Sequence, residues 1–426
     1  MTSGNPADVL AIHGGPRVRD EPWPARRLIG PEEKQAAVAL LDEAIAAGEF
    51  VPYGGEQEQA YCREFAELLG GGYADGVNSG TNALYVALRA LEIEPFTEVI
   101  VPPITDPGGA MPVALVNCIP VPADAAPDSF NTGAEQIAAR ITPRTSAVVV
   151  AHIAGLPADM EPIIALAGDR GLAVIEDCAQ AHGAFYRGRP VGTLGDVAVF
   201  STMSGKHSST GGQGGVVFTR SEEIYWRVRR FADRGKPFGI EGAAGNVAAS
   251  LNCNMDELSA AIGRAQLRKL PDIVRRRRDL ARRIALGARR SLQAVRMTEE
   301  LPGCEGSYWF GLFALDIDAV RVDKQAFVDA LAAEGLPVAA DYLHAPALAD
   351  WLRRRAVFGR SRYPWASDLY QGDPDVQYDA PNAVAANARH FRLAIHENCG
   401  ETEVQHTLAA MRKVENAYLR DRPHDH

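Results

Sequence analysis

Between residues 75 and 219 the sequence repeats one pattern, in which short apolar runs alternate with segments of helical spacing. The apolar runs are EVIVP (98–102), SAVVVAH (146–152), LAVIED (172–177), DVAVFS (196–201) and GGVVFT (214–219). Strands that are apolar throughout and are separated by helices are typical of a mainly parallel sheet with helices on both faces. The sequence therefore predicts an α/β fold that binds ligands at the carboxyl ends of its strands.

Segments of helical spacing also flank this region. Two precede it, at 31–48 and 56–71, and a glycine lies just past the last turn of each. A strongly helical stretch follows at 256–291, and we expect Pro271 to break or kink it. The residues beyond it mix a β-rich run with helical segments, which predicts a smaller α+β domain. The predicted parts are an N-terminal arm (1–30), a large domain (31–275) and a small C-terminal domain (276–426).

Composition and charge exclude several classes of protein. The 426 residues include 44 Lys and Arg against 54 Asp and Glu, so the formal net charge is −10. Such a chain lacks the basic surface on which sequence-independent nucleic-acid binding depends. It has no run of about 18 apolar residues and no secretory pattern at its N-terminus, so we expect no membrane contact. The six cysteines show no CxxC pair or zinc-like spacing, which favours a reduced, cytoplasmic protein without a metal site.

Two side chains of opposite charge follow neighbouring apolar runs. Asp177 closes the run LAVIED, and Lys206 comes a few residues after the run DVAVFS. An ordinary ion pair explains this spacing equally well. The alternative is chemical, because a lysine amine condenses with carbonyl groups and a buried carboxylate keeps a pyridine nitrogen protonated. Enzymes that use pyridoxal 5'-phosphate (PLP) need both groups.

The segment VNSGTNALYVALRALE (77–92) is suited to hold a phosphate. Its NSGT precedes a predicted helix, and the first N–H groups of a helix have no partner within it. An ordinary N-cap by Ser79 or Thr81 is the alternative explanation. Ser201, at the end of the strand that leads to Lys206, would add a hydroxyl to the same phosphate.

Four motifs occur in a fixed order along the chain, NSGTNAL, EDCAQAHG, GDVAVFSTMSGK followed by GGQGG, and LNCNMDELSAAIG. In this order they resemble the DegT/StrS-type sugar and cyclitol aminotransferases, which have the fold type I architecture of aspartate aminotransferase. The resemblance spans residues 10–417 and includes the C-terminal LAIHENCGETEVQHTLAAM. It implies a large domain with a mainly parallel seven-stranded sheet, a smaller α+β C-terminal domain, and PLP as the cofactor.

The resemblance also implies roles for individual residues. Lys206 would bond covalently to PLP and move protons during the reaction, and Asp177 would pair with the pyridine nitrogen. The other cofactor contacts would come from Gly80, Thr81, Ala179, Gln180, Ser201 and Asn252. Among them, Gln180 would bond the ring oxygen and Ala179 would lie against the ring. Asn252 would reach the phosphate of the neighbouring subunit, so we expect a homodimer with two shared active sites.

Three positions depart from the pattern of that family. Asp106 stands where the family usually has an aromatic residue stacked on the PLP ring, so stacking is lost or is supplied by another residue. Asp106 then contacts the substrate or the bond between lysine and cofactor, or it caps the loop before Pro107. Gln213 replaces an acidic residue after the lysine, and Asn254 replaces an arginine. These departures concern the specificity for donor and substrate.

Further side chains are candidates for contact with the substrate. They are His152, His182, His207, Tyr342 and His344. For the first three, structural hydrogen bonding is the alternative interpretation. Tyr342 and His344 lie in DYLHAPAL, which resembles the small-domain segment that borders the substrate in cyclitol aminotransferases, although such residues also occur at domain interfaces. Tyr308 and Trp309 are predicted to belong to the core.

The predicted function is transfer of an amino group from L-glutamine or L-glutamate to a keto-cyclitol or keto-sugar. The motifs FSTMSGK and EDCAQAHG most resemble the scyllo-inosose-type members that serve aminoglycoside biosynthesis. The first alternative is a PLP enzyme of the same fold that catalyses elimination, decarboxylation or carbon–carbon bond formation. The second is a ligand sensor without catalysis, and the presence of both Lys206 and Asp177 argues against it.

Overall fold

The apolar runs form strands of one seven-stranded sheet in the computed structural model, which describes residues 9–420. In chain order, the strands of this sheet and of two smaller sheets are β1 (Tyr73–Val77), β2 (Glu98–Val101), β3 (Ile119–Pro122), β4 (Thr145–Ala151), β5 (Ala173–Asp177), β6 (Phe185–Tyr186), β7 (Arg189–Pro190), β8 (Val197–Ser201), β9 (Gly215–Thr219), β10 (Val295–Met297), β11 (Gly311–Leu315), β12 (Val338–Ala339) and β13 (His390–Leu393).

Helices connect and cover these strands. In chain order they are α1 (Pro31–Ala47), α2 (Glu56–Leu68), α3 (Gly80–Ala90), α4 (Met111–Leu115), α5 (Ala134–Ala138), α6 (Met160–Arg170), α7 (Glu222–Ala232), α8 (Glu257–Ser291), α9 (Lys324–Ala333), α10 (Asp350–Arg353), α11 (Pro381–Arg389) and α12 (Glu401–Tyr418). Within residues 9–420, no helix combines the length and the apolar character that crossing a membrane requires.

The large sheet has the strand order β1-β9-β8-β5-β4-β2-β3. Strands β3, β2, β4, β5 and β8 run parallel, with β3 at the edge of the sheet, and β9 runs antiparallel to both of its neighbours. Neighbouring residues of β4 enter different cores, since Val148 and Val150 pack on one face and Val149 packs on the other. Burial on both faces explains why these strands are apolar at every position, and the predicted mainly parallel α/β fold is confirmed.

The smaller domain contains an antiparallel sheet of four strands in the order β10-β11-β13-β12. Its core includes side chains from this sheet and from α9, α11 and α12. Sheet and helices together form the smaller α+β domain that was expected after the long helical stretch.

One helix, α8, joins the two domains. Pro271 lies inside it, and the helix continues to Ser291, so of the two expected outcomes, a break or a kink at this proline, the break is wrong. Leu270, Ile273 and Val274 are buried on both sides of the proline, and this packing offsets the backbone hydrogen bond that proline lacks. The boundary predicted after residue 275 falls in the middle of α8.

Candidate active site

A cleft opens at the carboxyl ends of β4, β5 and β8, where the N-terminus of α3 meets them. Its empty volume, including the part that is open to solvent, is about 730 Å³. The predicted site residues that line it are Gly80, Thr81, Asp106, His152, Asp177, Ala179, Gln180, Ser201 and Lys206. Ligands of parallel α/β sheets bind at this edge because loops and helix N-termini converge there.

Lys206 is almost completely buried beside the cleft. Its amine lies 3.8 Å from the Asp106 carboxylate and 3.8 Å from the centroid of the Trp309 ring. Burial lowers the pKa of Lys206 below its ordinary value, although the negative charges of Asp106 and Asp177 act in the opposite direction. A lysine in this setting loses its proton more readily than one in water, as a nucleophilic amine requires.

Asp106 reaches into the cleft from the loop after β2. It precedes a short 3₁₀ turn, Pro107–Gly109, and its side chain makes no capping hydrogen bond to that turn. The Asp106 side chain is 49% exposed, and its nearest charged partner is the Lys206 amine. This geometry favours contact with a ligand over the alternative of a loop cap.

Asp177 ends β5 and presents its carboxylate to the same cleft. One oxygen, Oδ1, accepts a hydrogen bond from the Ala179 N–H at 3.0 Å. Burial raises the pKa of Asp177, while this hydrogen bond and the charge of Lys206 act to lower it. Space beside the second oxygen depends on Gly109, because a Cβ there would lie 3.0 Å from Asp177 Oδ2 and 2.1 Å from Thr105 Oγ1. The carboxylate therefore has room for a cationic ligand group.

The start of α3 adjoins Ser201 at the end of β8. Ser79 caps the helix, since its Oγ accepts a hydrogen bond from the Asn82 N–H at 3.0 Å. Gly80 and Thr81 follow this cap and line the cleft with the unpaired first turn of the helix. A Cβ at Gly80 would lie 2.7 Å from the Ser201 Cβ, so the helix start and the serine are in close contact. An N-cap and an anion site are thus compatible at this helix.

Gln180 links the large domain to the small one. Its Nε2 donates to the Tyr342 hydroxyl at 2.7 Å, and its Oε1 accepts from the Ala154 N–H at 2.9 Å. The amide nitrogen carries a second hydrogen that is available to a ligand oxygen. His344 lies farther from the cleft, where its ring packs edge-on against Tyr342 at 5.0 Å.

His152 lines the cleft, and partners within the protein occupy both of its ring nitrogens. Nε2 lies 3.2 Å from Glu176 Oε2, and Nδ1 accepts from the Ala158 N–H at 3.0 Å. The Glu176 carboxylate also accepts backbone N–H groups of the loop before β8, at Gly192 and Gly195. These contacts favour the structural interpretation of His152, because neither nitrogen remains for a substrate.

His182 and His207 are buried behind the cleft rather than along it. The His182 Nε2 is 2.9 Å from the Ser201 carbonyl oxygen, and the His207 Nε2 is 3.0 Å from that of Ser307. The two rings stack with their centroids 5.8 Å apart. Structural hydrogen bonding is again the interpretation that the geometry favours.

The DegT/DnrJ/EryC1/StrS aminotransferase family matches this chain over residues 31–371. The chain belongs to that family. L-glutamine:2-deoxy-scyllo-inosose aminotransferase of Streptoalloteichus tenebrarius is 33% identical to it over 376 residues, which cover 82% of this chain and 85% of the relative. Protein MosB of Rhizobium meliloti is 40% identical over 216 residues, which cover 51% of this chain and only 41% of MosB.

Solved structures of this family share the same architecture. The aminotransferase from Psychrobacter cryohalolentis superimposes with a TM-score of 0.79 at 27% identity, over 94% of this chain and 99% of that one. The fold type I architecture and the aminotransferase class predicted from the motifs are therefore confirmed.

Asn252 of this aminotransferase lies outside the cleft of its own chain. Its side chain is exposed, and its Oδ1 accepts from Asn254 Nδ2 at 2.7 Å. An exposed position outside its own cleft is compatible with contact to a neighbouring subunit, so the shared site stays a prediction.

Trp309 is the site residue that the sequence interpretation missed. Tyr308 is buried in the core as predicted, and Trp309 is half-buried and packs against the same core, but the Trp309 ring also lies over the Lys206 amine. The indole Nε1 donates to the Gly205 carbonyl oxygen at 3.0 Å. An aromatic ring thus contacts the lysine of this aminotransferase, although Asp106 occupies the loop position at which the family usually has an aromatic residue. Sequence spacing gives no signal for a contact across about a hundred residues.

The buried histidines predict a loss of stability in acid. Burial lowers the pKa of His182 to about 4, well below its value of about 6.5 in an unfolded chain. The neutral ring therefore stabilises the fold above pH 6.5, and this contribution is lost as the pH falls from 6.5 through 4, by at most about 1.4 kcal/mol per pH unit. We expect the free energy of unfolding, measured by urea denaturation, to fall less between pH 7.5 and pH 5 in His182→Gln than in the wild type.

The exposed His13 provides the control. His13→Gln should keep the pH dependence of the wild type. An identical pH dependence in His182→Gln and the wild type would show that His182 does not contribute.

Proposed function

We propose that this chain is a PLP-dependent aminotransferase that transfers an amino group from L-glutamine or L-glutamate to a keto-cyclitol or keto-sugar. The observation that carries the proposal is a buried lysine amine and a carboxylate that face one cleft beside the N-terminus of a helix. The activity of the relative from Streptoalloteichus tenebrarius, an L-glutamine:2-deoxy-scyllo-inosose aminotransferase, supports a cyclitol as the acceptor and glutamine as the donor. The proposal includes a homodimer in the cytoplasm, and the free thiols of all six cysteines agree with that location.

The residues of the cleft fit PLP. The first turn of α3 at Gly80 and Thr81, with the Ser201 hydroxyl, would hold the phosphate without a basic side chain. Asp177 lines the cleft and has a pKa raised by burial, and a protonated pyridine nitrogen would supply a positive charge beside its carboxylate. Gln180 Nε2 would use its second hydrogen on the ring oxygen.

When bound, PLP supplies an aldehyde and an electron-withdrawing ring. Lys206 Nζ would hold the cofactor. It would then take a proton from the donor carbon that bears the amino group and return it to the aldehyde carbon of the cofactor. Burial favours the neutral amine that this work requires, and the nearby Asp106 carboxylate keeps the protonated form within reach. Asp177 Oδ2 would keep the ring nitrogen protonated throughout.

Specificity for the acceptor would come from the open side of the cleft. The half-exposed Asp106 carboxylate and the Gln213 side chain border it, and both are suited to hydroxyl groups. Lys206 is the only lysine or arginine among the described residues that line the cleft. An uncharged polyhydroxy ketone suits this lining better than a polyanion does.

The test is a pair of half-reactions with purified protein and added PLP. We expect L-glutamine or L-glutamate to release its 2-oxo acid, and 2-deoxy-scyllo-inosose to give its amine, both detected by mass spectrometry. A nucleotide-linked keto-sugar serves as the second acceptor and is expected to react more slowly.

Three results would change the conclusion. Failure of every amino donor to give a 2-oxo acid would favour a different PLP reaction. Faster turnover of the nucleotide-linked ketone would overturn the assignment of the acceptor. Absence of PLP binding would overturn the proposed function as a whole.

A further inference from the structure

The N-terminal arm reaches the loop that carries Lys206. Arg26 Nη1 donates to the Gly205 carbonyl oxygen at 3.1 Å, and Nη2 donates to that of His207 at 3.4 Å. These two carbonyl groups lie on either side of Lys206 in the chain. One guanidinium group therefore binds the backbone before and after the lysine.

The arm at Pro24 and Arg26 is itself held by three consecutive residues that follow β13. Glu397 Oε1 accepts from Arg26 Nε at 2.9 Å, and His396 Nε2 lies 2.8 Å from the carbonyl oxygen of Pro24. Asn398 Nδ2 donates to the carbonyl oxygen of Arg26. These contacts fix both the backbone and the side chain of Arg26.

The same glutamate also fixes the ring that lies over Lys206. Glu397 Oε2 accepts from Arg277 Nε at 2.9 Å, and both side chains are buried. Arg277 Nη1 then donates to the carbonyl oxygens of Tyr308 and Trp309, at 2.9 and 3.1 Å. Glu397 thus connects the arm, α8 and the Trp309 segment at one point.

We propose that Arg26 is a positioning residue, which holds the Gly205–His207 backbone so that the Lys206 amine stays between Asp106 and Trp309. The inference rests on the proposed function, which makes Lys206 the reactive group. Arginine suits the position because its rigid planar fork serves one carboxylate and two carbonyls at once. The support is needed since Ser204 and Gly205, which lead into Lys206, are exposed on the surface.

Arg26→Gln tests the proposal by two measurements. We expect kcat to fall about 100-fold with the KM for the amino donor unchanged, because displacement of a reacting group slows the chemical step. In protein without added cofactor, we expect acetic anhydride to acetylate Lys206 faster than in the wild type, as quantified by mass spectrometry. Arg26→Lys keeps the charge beside Glu397 but cannot reach both carbonyls, so intermediate values are expected.

Arg17→Gln is the matched control, because Arg17 lies in the same arm and donates to the Ala333 carbonyl oxygen at 2.8 Å, at the end of α9. We expect it to keep wild-type kcat and wild-type acetylation of Lys206. Unchanged values in Arg26→Gln, or equal changes in both variants, would overturn the proposal. Absence of PLP binding by the wild type would overturn the proposed function alone, since acetylation still tests the role of Arg26.

Discussion

Lys206→Ala is expected to abolish transamination and to remove the visible absorbance that bound PLP gives to the wild type. Lys206 is the only lysine or arginine among the described residues that line the cleft, so no other amine can take its place. The variant loses both a covalent attachment and a proton carrier, and a proton carrier alone is worth about 10²–10⁴-fold in rate. We therefore expect kcat to fall by at least about 10⁴-fold, measured with the preferred donor and acceptor.

Two further variants separate chemistry from charge and from folding. Lys206→Arg keeps a positive charge near Asp106 but cannot form the same covalent bond, so it should be as inactive as Lys206→Ala. Lys34→Ala removes an exposed lysine of α1 and should keep full activity and absorbance. Retention of the absorbance and of turnover in Lys206→Ala would refute the assignment of this lysine.

Asp177→Asn is expected to have the second largest effect, a fall in kcat of about 10²–10³-fold. Asparagine has the same shape and can still accept the Ala179 N–H, so the end of β5 keeps its geometry. It cannot hold a pyridine nitrogen in the protonated form. The measurement combines kcat with the visible spectrum of the variant after addition of PLP, which is expected to differ from that of the wild type.

The urea concentration at which Asp177→Asn unfolds shows whether its lower rate results from a loss of stability. Burial raises the pKa of Asp177, so its charge disfavours the folded state of the cofactor-free protein at neutral pH. We therefore expect Asp177→Asn to unfold at the same urea concentration as the wild type, or at a higher one.

Asp196→Asn is the matched control for the same strand. Asp196 Oδ2 accepts the Val174 N–H at 2.8 Å near the start of β5, on the side away from the cleft. Asparagine can still accept this N–H through its amide oxygen, so the variant should keep the activity, the spectrum and the stability of the wild type. Equal rates in Asp177→Asn and the wild type would contradict the assigned role of Asp177.

The strands of the large sheet show which features can be predicted from sequence. The five apolar runs correspond to β2, β4, β5, β8 and β9, because a strand buried on both faces must be apolar throughout. The interpretation missed β1 and β3. In β1, the sequence YADGV contains Asp75, whose carboxylate is paired with Arg229 at 2.8 Å. In β3, the sequence IPVP contains two prolines, which an edge strand tolerates because one side needs no hydrogen bonds.

Some residues of the candidate site could likewise be predicted from sequence, and others could not. Asp177 and Lys206 could be located from sequence, since each follows an apolar run that ends at the ligand-binding edge of the sheet. Trp309 and Arg26 could not, because they come from the small domain and the arm and meet the lysine only after the chain has folded. Their positions depend on Glu397 and Arg277, whose ion pair spans 120 residues of sequence.

The contact between Arg26 and Glu397 joins residues that are 371 positions apart. During synthesis, Arg26 is therefore made long before Glu397. Until Glu397 has been made, Arg26 lacks the carboxylate that holds its guanidinium group against the Lys206 loop. The support of the Lys206 loop thus needs both ends of this 371-residue interval, and a chain truncated before Glu397 would leave the loop unsupported.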